Sequence, residues 1–266
     1  MIANNRVVDP TKPSSARIYD YFLGGKDNYE VDRQAAAKIL EVWPTVASGV
    51  HHNRDFMARA VRTLSDLGVR QFLDIGTGIP TEPNLHQIAQ ELNPAARVVY
   101  VDNDPLVLAY AQALMTSTAE GKVAYIDADA TDPGGILSAP SFAETLNLDE
   151  PVAVSLVAVL HFVRDEQDPY GIVDTLMKAM APGSYLVISH ITADFDPETM
   201  RRALATYRAS GVHAQNRNRD EVTRFFDGYE LLDPGVVGVH RWRPEADLPD
   251  WRDAEAGCWA GVARKS

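Results

Sequence analysis

Hydrophobic residues in this chain follow two alternating patterns, short apolar runs and segments with helical spacing. The apolar runs predict strands at 71–73, 97–101, 123–126, 152–159 and 185–189, with two later strands near 229–232 and 258–263. Between them, apolar residues recur three, four and seven positions apart, as at Leu85, Ile88 and Leu92, which indicates helices. This alternation predicts an α/β fold with a doubly wound, mostly parallel sheet of seven strands.

Several helix boundaries follow from the same pattern. A helix is expected at 83–92, with Thr81 as its N-cap, because a threonine hydroxyl accepts hydrogen bonds from the first turn. A second helix is expected at 106–114. A third, at 173–180, is ended by Pro182 and Gly183.

The first 70 residues lie outside this alternation. Two helical stretches are predicted at 30–42 and 53–67, separated by Trp43-Pro44 and Ser48-Gly49. We therefore expect an N-terminal helical cap at 1–70 and an α/β domain at 71–266. The alternative is a helix pair that only stabilises the sheet.

The most informative motif joins two strand ends. The first strand ends in Asp74, and Gly76 and Gly78 follow at alternate positions. Glycines let the backbone turn sharply and approach a ligand closely. The second strand ends in another acid, Asp102. A glycine-rich turn after one strand and an acid at the end of the next are typical of nucleoside sites in doubly wound folds.

The motif favours S-adenosylmethionine over a dinucleotide. A dinucleotide site has a third glycine, but Ile79, Pro80 and Thr81 follow Gly78 here. An acid at the start of the loop would also repel a pyrophosphate. S-adenosylmethionine carries a sulfonium and an amine in place of the pyrophosphate, so an acidic loop suits it.

On these residues the chain resembles the class I S-adenosylmethionine-dependent methyltransferases. The resemblance implies that Asp74 lies near the methionine end of the cofactor and that Gly76 and Gly78 line that end. It also implies that Asp102, followed by Asn103, binds the ribose hydroxyls.

The resemblance further implies an acid that faces the adenine. Asp129, followed by the small residue Ala130, best matches the third motif of these enzymes, after the strand that ends near Ile126. Asp127, two residues earlier, is the alternative.

The N-terminal region narrows the resemblance. The run SARIYDYFLGGKDNY at 15–29 is similar to the opening of a bacterial methyltransferase family first described as a domain of unknown function. The family is also similar at 53–56 and 242–244. Its cofactor is implied by the resemblance, but its acceptor is not.

Residues of the expected cap are candidates for the site. Gly25, next to Gly24, indicates close approach of a ligand, and Tyr21, with Tyr19 and Tyr29, is expected to line a pocket. Arg54 and Lys26 are candidates to bind the methionine carboxylate or an acidic substrate group; the alternative for both is a surface cation or an internal ion pair.

Two histidines are candidates near the acceptor. His161 follows the fourth strand, where class I methyltransferases place groups that face the substrate, and His190 ends the next strand. A histidine there can accept a proton from a hydroxyl and so act as a general base. The alternative is a histidine that only hydrogen-bonds the backbone of a loop. We expect His161 as the catalytic candidate and both side chains in the substrate pocket.

Composition limits the partners. The net charge is −12, so a polyanion such as nucleic acid is not expected as a substrate. The arginines at 201, 202, 208, 217 and 219 are expected to lie on solvated surfaces. No apolar run is long enough for a membrane span, no secretory signal is evident, and Cys258 is the only cysteine, which together indicate a cytoplasmic protein. No metal is expected, and the oligomeric state stays open.

The resemblance implies methyl transfer from S-adenosylmethionine, and we expect the acceptor to be oxygen or nitrogen of a small molecule. Two alternatives stay open at this stage. The first is a protein that binds S-adenosylmethionine without catalysis, for example as a sensor. The second is a nicotinamide-dependent oxidoreductase.

Overall fold

The computed structural model describes residues 8–114, 116–245 and 253–266. Its strands are β1 (Gln71–Ile75), β2 (Arg97–Asp102), β3 (Lys122–Asp127), β4 (Ala153–Val157), β5 (Tyr185–Ile191), β6 (Glu230–Leu231), β7 (Val237–Gly238) and β8 (Cys258–Arg264). Its α-helices are α1 (Ser15–Phe22), α2 (Glu30–Val42), α3 (Val46–Asp66), α4 (Leu85–Leu92), α5 (Pro105–Leu114), α6 (Pro133–Ser138), α7 (Pro140–Ala143), α8 (Pro169–Ala179), α9 (Pro197–Ala209), α10 (Arg219–Thr223) and α11 (Asp253–Ala256). Within the described ranges, no helix is both long enough and apolar enough to cross a bilayer.

The strands form one sheet in the order β3-β2-β1-β4-β5-β8-β6, with β7 paired to β8. Strands β1 to β5 are parallel, and β8 is antiparallel to β5, β6 and β7. The predicted doubly wound α/β fold is confirmed. The described sheet has eight strands instead of seven, because β7 at Val237–Gly238 is only two residues long and was not predicted.

The two faces of the sheet bury two separate cores. Phe72 and Val98 pack in the core that contains residues of α1 to α4 and α9. The next residue of each strand, Leu73 or Val99, packs in the core that contains residues of α6, α7, α8 and α10. Successive side chains of a strand point to opposite faces, so a sheet covered on both sides needs these continuous apolar runs.

The N-terminal helices form part of the first core. Helix α2 has the predicted bounds, but α1 was not predicted, and α3 begins at Val46, so Ser48 and Gly49 do not separate helices. A Cβ on Gly49 would lie 2.9 Å from the carbonyl oxygen of Ala256, which explains a glycine within this helix. Because Ile18 of α1 packs in the same core as Phe72 of the sheet, these helices cover one sheet face. The division at residue 70 stays a prediction.

Helix α4 begins later than predicted. Its N-cap is Asn84, not Thr81, and the Asn84 amide donates to Gln87 Oε1 at 2.6 Å. Thr81 lies before the helix, where its amide donates to Asn84 Oδ1 at 3.1 Å. A reciprocal contact three residues apart at the helix start is a capping box. The segment 79–84 therefore lies before α4 and leads to it from the glycine turn.

Candidate functional site

A cavity opens at the carboxyl ends of β1, β2 and β4 and is covered by α1 and α3. The chain order reverses between β1 and β4, which is where open α/β sheets bind ligands. The residues that line it include Ser14, Ser15, Ala16, Tyr19, Asn53, Arg54, Met57, Asp74, Gly76, Gly78, Val101, Asp102, Asn103, Asp104, Asp129, Ala130, Thr131, Val157, Ala158, Val159, Phe162, Val163 and Gln167.

The turn after β1 requires both of its glycines. Gly76 has φ +76° and Gly78 has φ +69°, in the left-handed region that glycine adopts without steric cost. A Cβ on Gly76 would also lie 2.5 Å from Val159 Cγ2, whereas a Cβ on Gly78 would meet no atom within 4 Å. The Gly76 amide donates to the Val101 carbonyl at 2.8 Å, which fixes the turn against β2.

Asp102 connects this turn to the end of β2. Its Oδ2 accepts the Gly78 amide at 2.9 Å, and its Oδ1 accepts the Asp104 amide at 2.9 Å. Burial raises the pKa of Asp102 to about 6, and the neighbouring charge of Asp104 adds to the rise, although the backbone hydrogen bonds oppose it. The carboxylate is therefore held in one orientation at the edge of the cavity.

Asp74 is the second acid of the cavity. It lies in β1 opposite Tyr100 of β2. Burial raises the pKa of Asp74 to about 6; the positive charge of Arg54 opposes this shift, and the negative charge of Asp102 adds to it. Two carboxylates in one partly desolvated cavity favour a ligand that carries positive charge.

Asp129 and Asn103 lie together on the far side of the cavity. Asn103 Nδ2 donates to Asp129 Oδ2 at 2.7 Å, and the Thr131 amide and hydroxyl donate to Asp129 Oδ1 at 2.9 and 2.7 Å. Asp129 and Ala130 line the cavity, whereas Asp127 ends β3 in register with Asp102 and is not among the lining residues. Of these two acids only Asp129 is among the lining residues, and its place at the adenine stays a prediction.

Arg54 reaches the cavity from α3. Its Nη2 donates to the carbonyl oxygens of Thr81 and Pro83 at 2.6 and 2.7 Å. The guanidinium thus ties α3 to the segment that follows the glycine turn. It is the only Lys or Arg side chain among the described lining residues.

A chain of buried hydrogen bonds that the sequence did not predict supports the opposite wall. The Tyr19 hydroxyl accepts Asn53 Nδ2 at 2.9 Å, and Asn53 Oδ1 accepts the Ser189 hydroxyl at 2.5 Å. The Ser189 oxygen in turn accepts the Ala158 amide at 3.0 Å. Ala158 has φ +56°, which is uncommon for a residue with a Cβ. The chain therefore holds a strained backbone position at the end of β4.

Three predicted residues of the N-terminal region lie elsewhere. Tyr21, Gly25 and Lys26 are not among the lining residues, and Lys26 is exposed. A Cβ on Gly25 would collide with the carboxylate of Asp20, because that carboxylate accepts the Asp27 amide at 3.0 Å and Asn28 Nδ2 at 2.7 Å. The glycine pair thus has a structural reason in the turn that encloses Asp20.

The two candidate histidines are buried behind the cavity wall. Neither lines the cavity, and their ring centroids lie 5.6 Å apart. His190 Nε2 lies 2.7 Å from Arg217 Nη1, and its Nδ1 lies 2.8 Å from the Ile191 carbonyl oxygen. Since Arg217 can only donate, His190 is the Nδ1–H tautomer. Burial lowers its pKa to about 3 and holds the pKa of His161 well below the ordinary value.

Arg217 was expected on a solvated surface, and that prediction is wrong. The side chain is 1% exposed and donates to the carbonyls of Leu160 and Val163 at 3.1 and 3.2 Å. It also pairs with Asp165 at 2.6 Å. These acceptors belong to the loop after β4, which places Phe162 and Val163 at the cavity. No local sequence pattern shows this, because the carbonyls lie more than fifty residues away in the chain.

Metal ligands are not grouped in the described part of the chain. Within residues 8–114, 116–245 and 253–266, no set of three or more His, Cys, Asp or Glu side chains has the arrangement to hold a metal ion.

The acidic cavity and the sheet order agree with the class that the family match gives this protein, a class I S-adenosylmethionine-dependent methyltransferase. The chain belongs to the S-adenosyl methyltransferase family, whose model matches residues 2–266. S-adenosylmethionine is therefore its cofactor. The residues present fit it, since two carboxylates and two glycines without side chains meet in one cavity.

Two solved structures are similar over the whole chain. A DUF574 family protein from Streptomyces avermitilis MA-4680 is 47% identical, with 98% of this chain and 100% of that chain covered and a TM-score of 0.95. A candidate methyltransferase from Thermobifida fusca YX is 35% identical, with both chains fully covered and a TM-score of 0.91. A search of curated proteins gave no match.

Proposed function

We propose that the cavity between the sheet and α1 and α3 binds both cofactor and acceptor, and that the acceptor is a small molecule methylated at oxygen or nitrogen. The hydrogen bond from Gly78 to Asp102 carries the cofactor assignment, because it joins the glycine turn and the second acid into one binding surface. Asp102 and Asn103 would hold the ribose, and Asp129 and Ala130 would face the adenine.

The methionine end of the cofactor is assigned to the turn after β1. Asp74, Gly76 and Gly78 would hold it, with Arg54 nearby for the carboxylate. When bound, S-adenosylmethionine supplies a methyl group on a positively charged sulfur. The carboxylate of Asp74 complements positive charge on the ligand, and it would oppose a pyrophosphate at the same place.

The chain's own contribution to transfer is positioning. The described lining contains no histidine, cysteine or lysine. The Tyr19 hydroxyl is a poor base, because burial raises its pKa to about 12 and it donates to the Val50 carbonyl at 3.3 Å. Alignment of two bound reactants supplies about 7–11 kcal/mol in favourable cases. The rigid turn at Gly76 and the wall held by Asn53 would provide that alignment.

The rest of the lining supports a small acceptor. Apolar surface lines the cavity from two sides, from Tyr19 of α1 and Met57 of α3, and from Val157, Val159 and Phe162 at the end of β4 and in the loop after it. The nearby carboxylates and the net charge of −12 disfavour a polyanion such as nucleic acid. An uncharged or cationic small molecule therefore fits the cavity better.

The cytoplasmic location expected from the sequence stays a proposal. Cys258 is buried, and burial raises its pKa to about 12, so its thiol is unreactive. A single unreactive cysteine is compatible with a reducing cytoplasm.

The experiment combines binding and turnover. S-adenosylmethionine and its product S-adenosylhomocysteine are titrated calorimetrically into the protein and into Asp102→Asn, with Asp220→Asn, on the surface at α10, as the matched control. Transfer of a labelled methyl group is then screened over phenols, amines, carboxylic acids and oligonucleotides. We expect weaker binding only in Asp102→Asn and turnover with phenols or amines. Turnover with oligonucleotides alone would refute the small-molecule proposal.

A further inference from the structure

A buried ion-pair cluster joins the N-terminal segment to the loop that follows Asp102. This cluster, called the Arg17 cluster below, consists of Ser14, Arg17, Asp32 and Asp104. Arg17 Nε lies 2.9 Å from Asp32 Oδ2, and Arg17 Nη1 lies 3.2 Å from Asp104 Oδ2. All three charged side chains are at most 9% exposed, so the pairs are shielded from solvent.

Asp104 is the link between the Arg17 cluster and Asp102. Its backbone amide donates to Asp102 Oδ1 at 2.9 Å. Its side-chain Oδ2 accepts the Ser14 hydroxyl at 2.6 Å in addition to Arg17, and its Oδ1 accepts the Leu106 amide at 2.9 Å. With both carboxylate oxygens held, the backbone of Asp104 has little freedom. The orientation of Asp102 therefore depends on the cluster.

The same cluster fixes one wall of the cavity. Ser14, Ser15 and Ala16 line the cavity beside Asp102. The Ser14 amide donates to Asp32 Oδ1 at 2.9 Å, and Arg17 Nη2 donates to the Lys12 carbonyl at 2.6 Å. The chain that enters α1 is thus anchored on both sides of the residues that face the cavity.

We propose that Arg17 is a positioning residue of the cofactor site, which holds Asp104 and the segment 14–16 so that the Asp102 carboxylate faces the ribose. This inference rests on the proposed assignment of Asp102 to the ribose. The ligand contact is made by Asp102, and Arg17 acts through Asp104.

The charges around Asp102 give Arg17 a second effect. The charged groups near Asp102 are Asp104 on its own loop, Asp74 on β1, Asp129 after β3 and Arg54 on α3. Arg17 and Asp32 lie behind Asp104. The negative charge of Asp104 disfavours ionised Asp102, and Arg17 balances Asp104. Without the guanidinium, Asp102 would ionise at higher pH. A residue that only stabilised the fold would not change the pH at which the cofactor binds.

The test measures affinity for S-adenosylhomocysteine by calorimetry between about pH 5.5 and 8.5, with thermal unfolding in parallel. The variants of the full chain are Arg17→Gln and Ser14→Ala. Arg33→Gln is the matched control, because Arg33 also belongs to the N-terminal helices but pairs with the exposed Glu30 at 2.9 Å. For Arg17→Gln we expect about tenfold weaker binding near pH 7 and a higher pH midpoint of binding. For Ser14→Ala we expect about threefold weaker binding, and for Arg33→Gln no change.

The outcomes separate this inference from the assignment of Asp102. Wild-type affinity and wild-type pH midpoint in folded Arg17→Gln would overturn it. If Arg17→Gln does not fold, Ser14→Ala decides, and unchanged affinity in that variant overturns the inference. If Asp102→Asn binds as the wild type does, the assignment of the ribose site is wrong, and the inference fails with it. If Asp102→Asn binds more weakly while Arg17→Gln and Ser14→Ala bind as the wild type does, only the role of Arg17 is refuted.

Discussion

The Gly78 amide and the Asp102 carboxylate are joined by a hydrogen bond of 2.9 Å across 24 residues of sequence. The bond means that the glycine turn after β1 and the acid at the end of β2 form one structural unit. A change in either residue should therefore affect both the shape of the turn and the orientation of the acid. Asp104 completes the unit by donating its amide to the second carboxylate oxygen of Asp102 at 2.9 Å.

Alanine substitutions of the two glycines should differ in severity. Both residues have positive φ, which costs a residue with a Cβ about 1–2 kcal/mol. Gly76→Ala also places a Cβ against Val159, so we expect its free energy of unfolding to fall by about 2–3 kcal/mol. Gly78→Ala meets no atom and should lose about 1 kcal/mol, while cofactor affinity falls in both. Chemical denaturation and calorimetric titration measure the two effects.

Gly134→Ala is the control for this pair. Gly134 lies in the first turn of α6, and the nearest atom to its added Cβ would be Asp132 Oδ1 at 3.8 Å. Alanine is a better helix former than glycine, so stability should be unchanged or slightly higher. Equal losses at Gly76 and Gly78 would show that contact with Val159 does not matter.

Cofactor affinity should rise with pH through about 6. Burial raises the pKa of Asp74 and Asp102 to about 6, so both acids are partly protonated in the free protein at mildly acidic pH. A cationic ligand favours the ionised acids, and its binding is therefore weakened as they take up protons. Calorimetric titrations of S-adenosylmethionine from about pH 5 to 8 should show this rise, and Asp74→Asn should reduce it. A constant affinity over this range would contradict the assignment.

The same two acids should affect the stability of the free protein in the opposite direction, so that their contribution to the free energy of unfolding falls as pH rises. Their folded pKa lies above the ordinary value of 3.8, so the free folded protein binds protons that the unfolded chain has released. Their contribution is fully present below about pH 4 and is lost as pH rises through about 6. The difference in unfolding free energy between wild type and Asp74→Asn, followed against pH, isolates this effect. A difference that grows toward acid pH in favour of the variant would refute it.

The parts of the site that are local in sequence could be predicted, and the parts that depend on distant contacts could not. Asp74 and Asp102 lie at or near the ends of apolar strands, so strand pattern and residue type were sufficient to place them. Their joining through Gly78 follows from parallel pairing of β1 and β2. By contrast, Asn53 lies in a helix, and its role depends on Ser189, a residue 136 positions away.

The predicted break at Ser48 and Gly49 was wrong for a similar reason. Ser48 and Gly49 favour a break by intrinsic propensity, but α3 continues through them because Gly49 packs against the backbone of Ala256. The turn at Gly24-Gly25 indicates close approach, and the group that approaches is the carboxylate of Asp20. A sequence shows that space is needed at such a glycine, but it does not show what occupies the space.

His161 and His190 should stay neutral across the physiological pH range. Burial lowers the pKa of both, and Arg217 adds to the shift. NMR spectra of the imidazole carbons should show no titration of either ring between about pH 5 and 8. The unfolded chain takes up these protons near the ordinary value of 6.5, so stability should fall as pH drops below that value.

Replacement of His161 should show in kcat whether this residue acts as a general base. Replacing such a base costs about 10²–10⁴-fold in kcat, whereas His161→Gln should change kcat by less than about threefold with any acceptor found in the screen. Asp102→Asn provides the comparison, since it should weaken cofactor binding. Loss of turnover in His161→Gln without loss of folding or of cofactor binding would restore the catalytic role.

Replacement of the buried Arg217 by methionine should destabilise the fold more than the same replacement of an exposed arginine. The substitution leaves the Leu160 and Val163 carbonyls without their donor and removes the partner of His190 Nε2. Buried acceptors without partners are costly, so we expect a loss of about 3 kcal/mol in the free energy of unfolding. Arg202→Met, on the exposed face of α9, should change it by less than about 0.5 kcal/mol. Because the loop held by Arg217 carries Phe162, the affinity of Arg217→Met for cofactor or acceptor should also fall. Equal stability of Arg217→Met and Arg202→Met would show that the buried guanidinium is not needed for the fold.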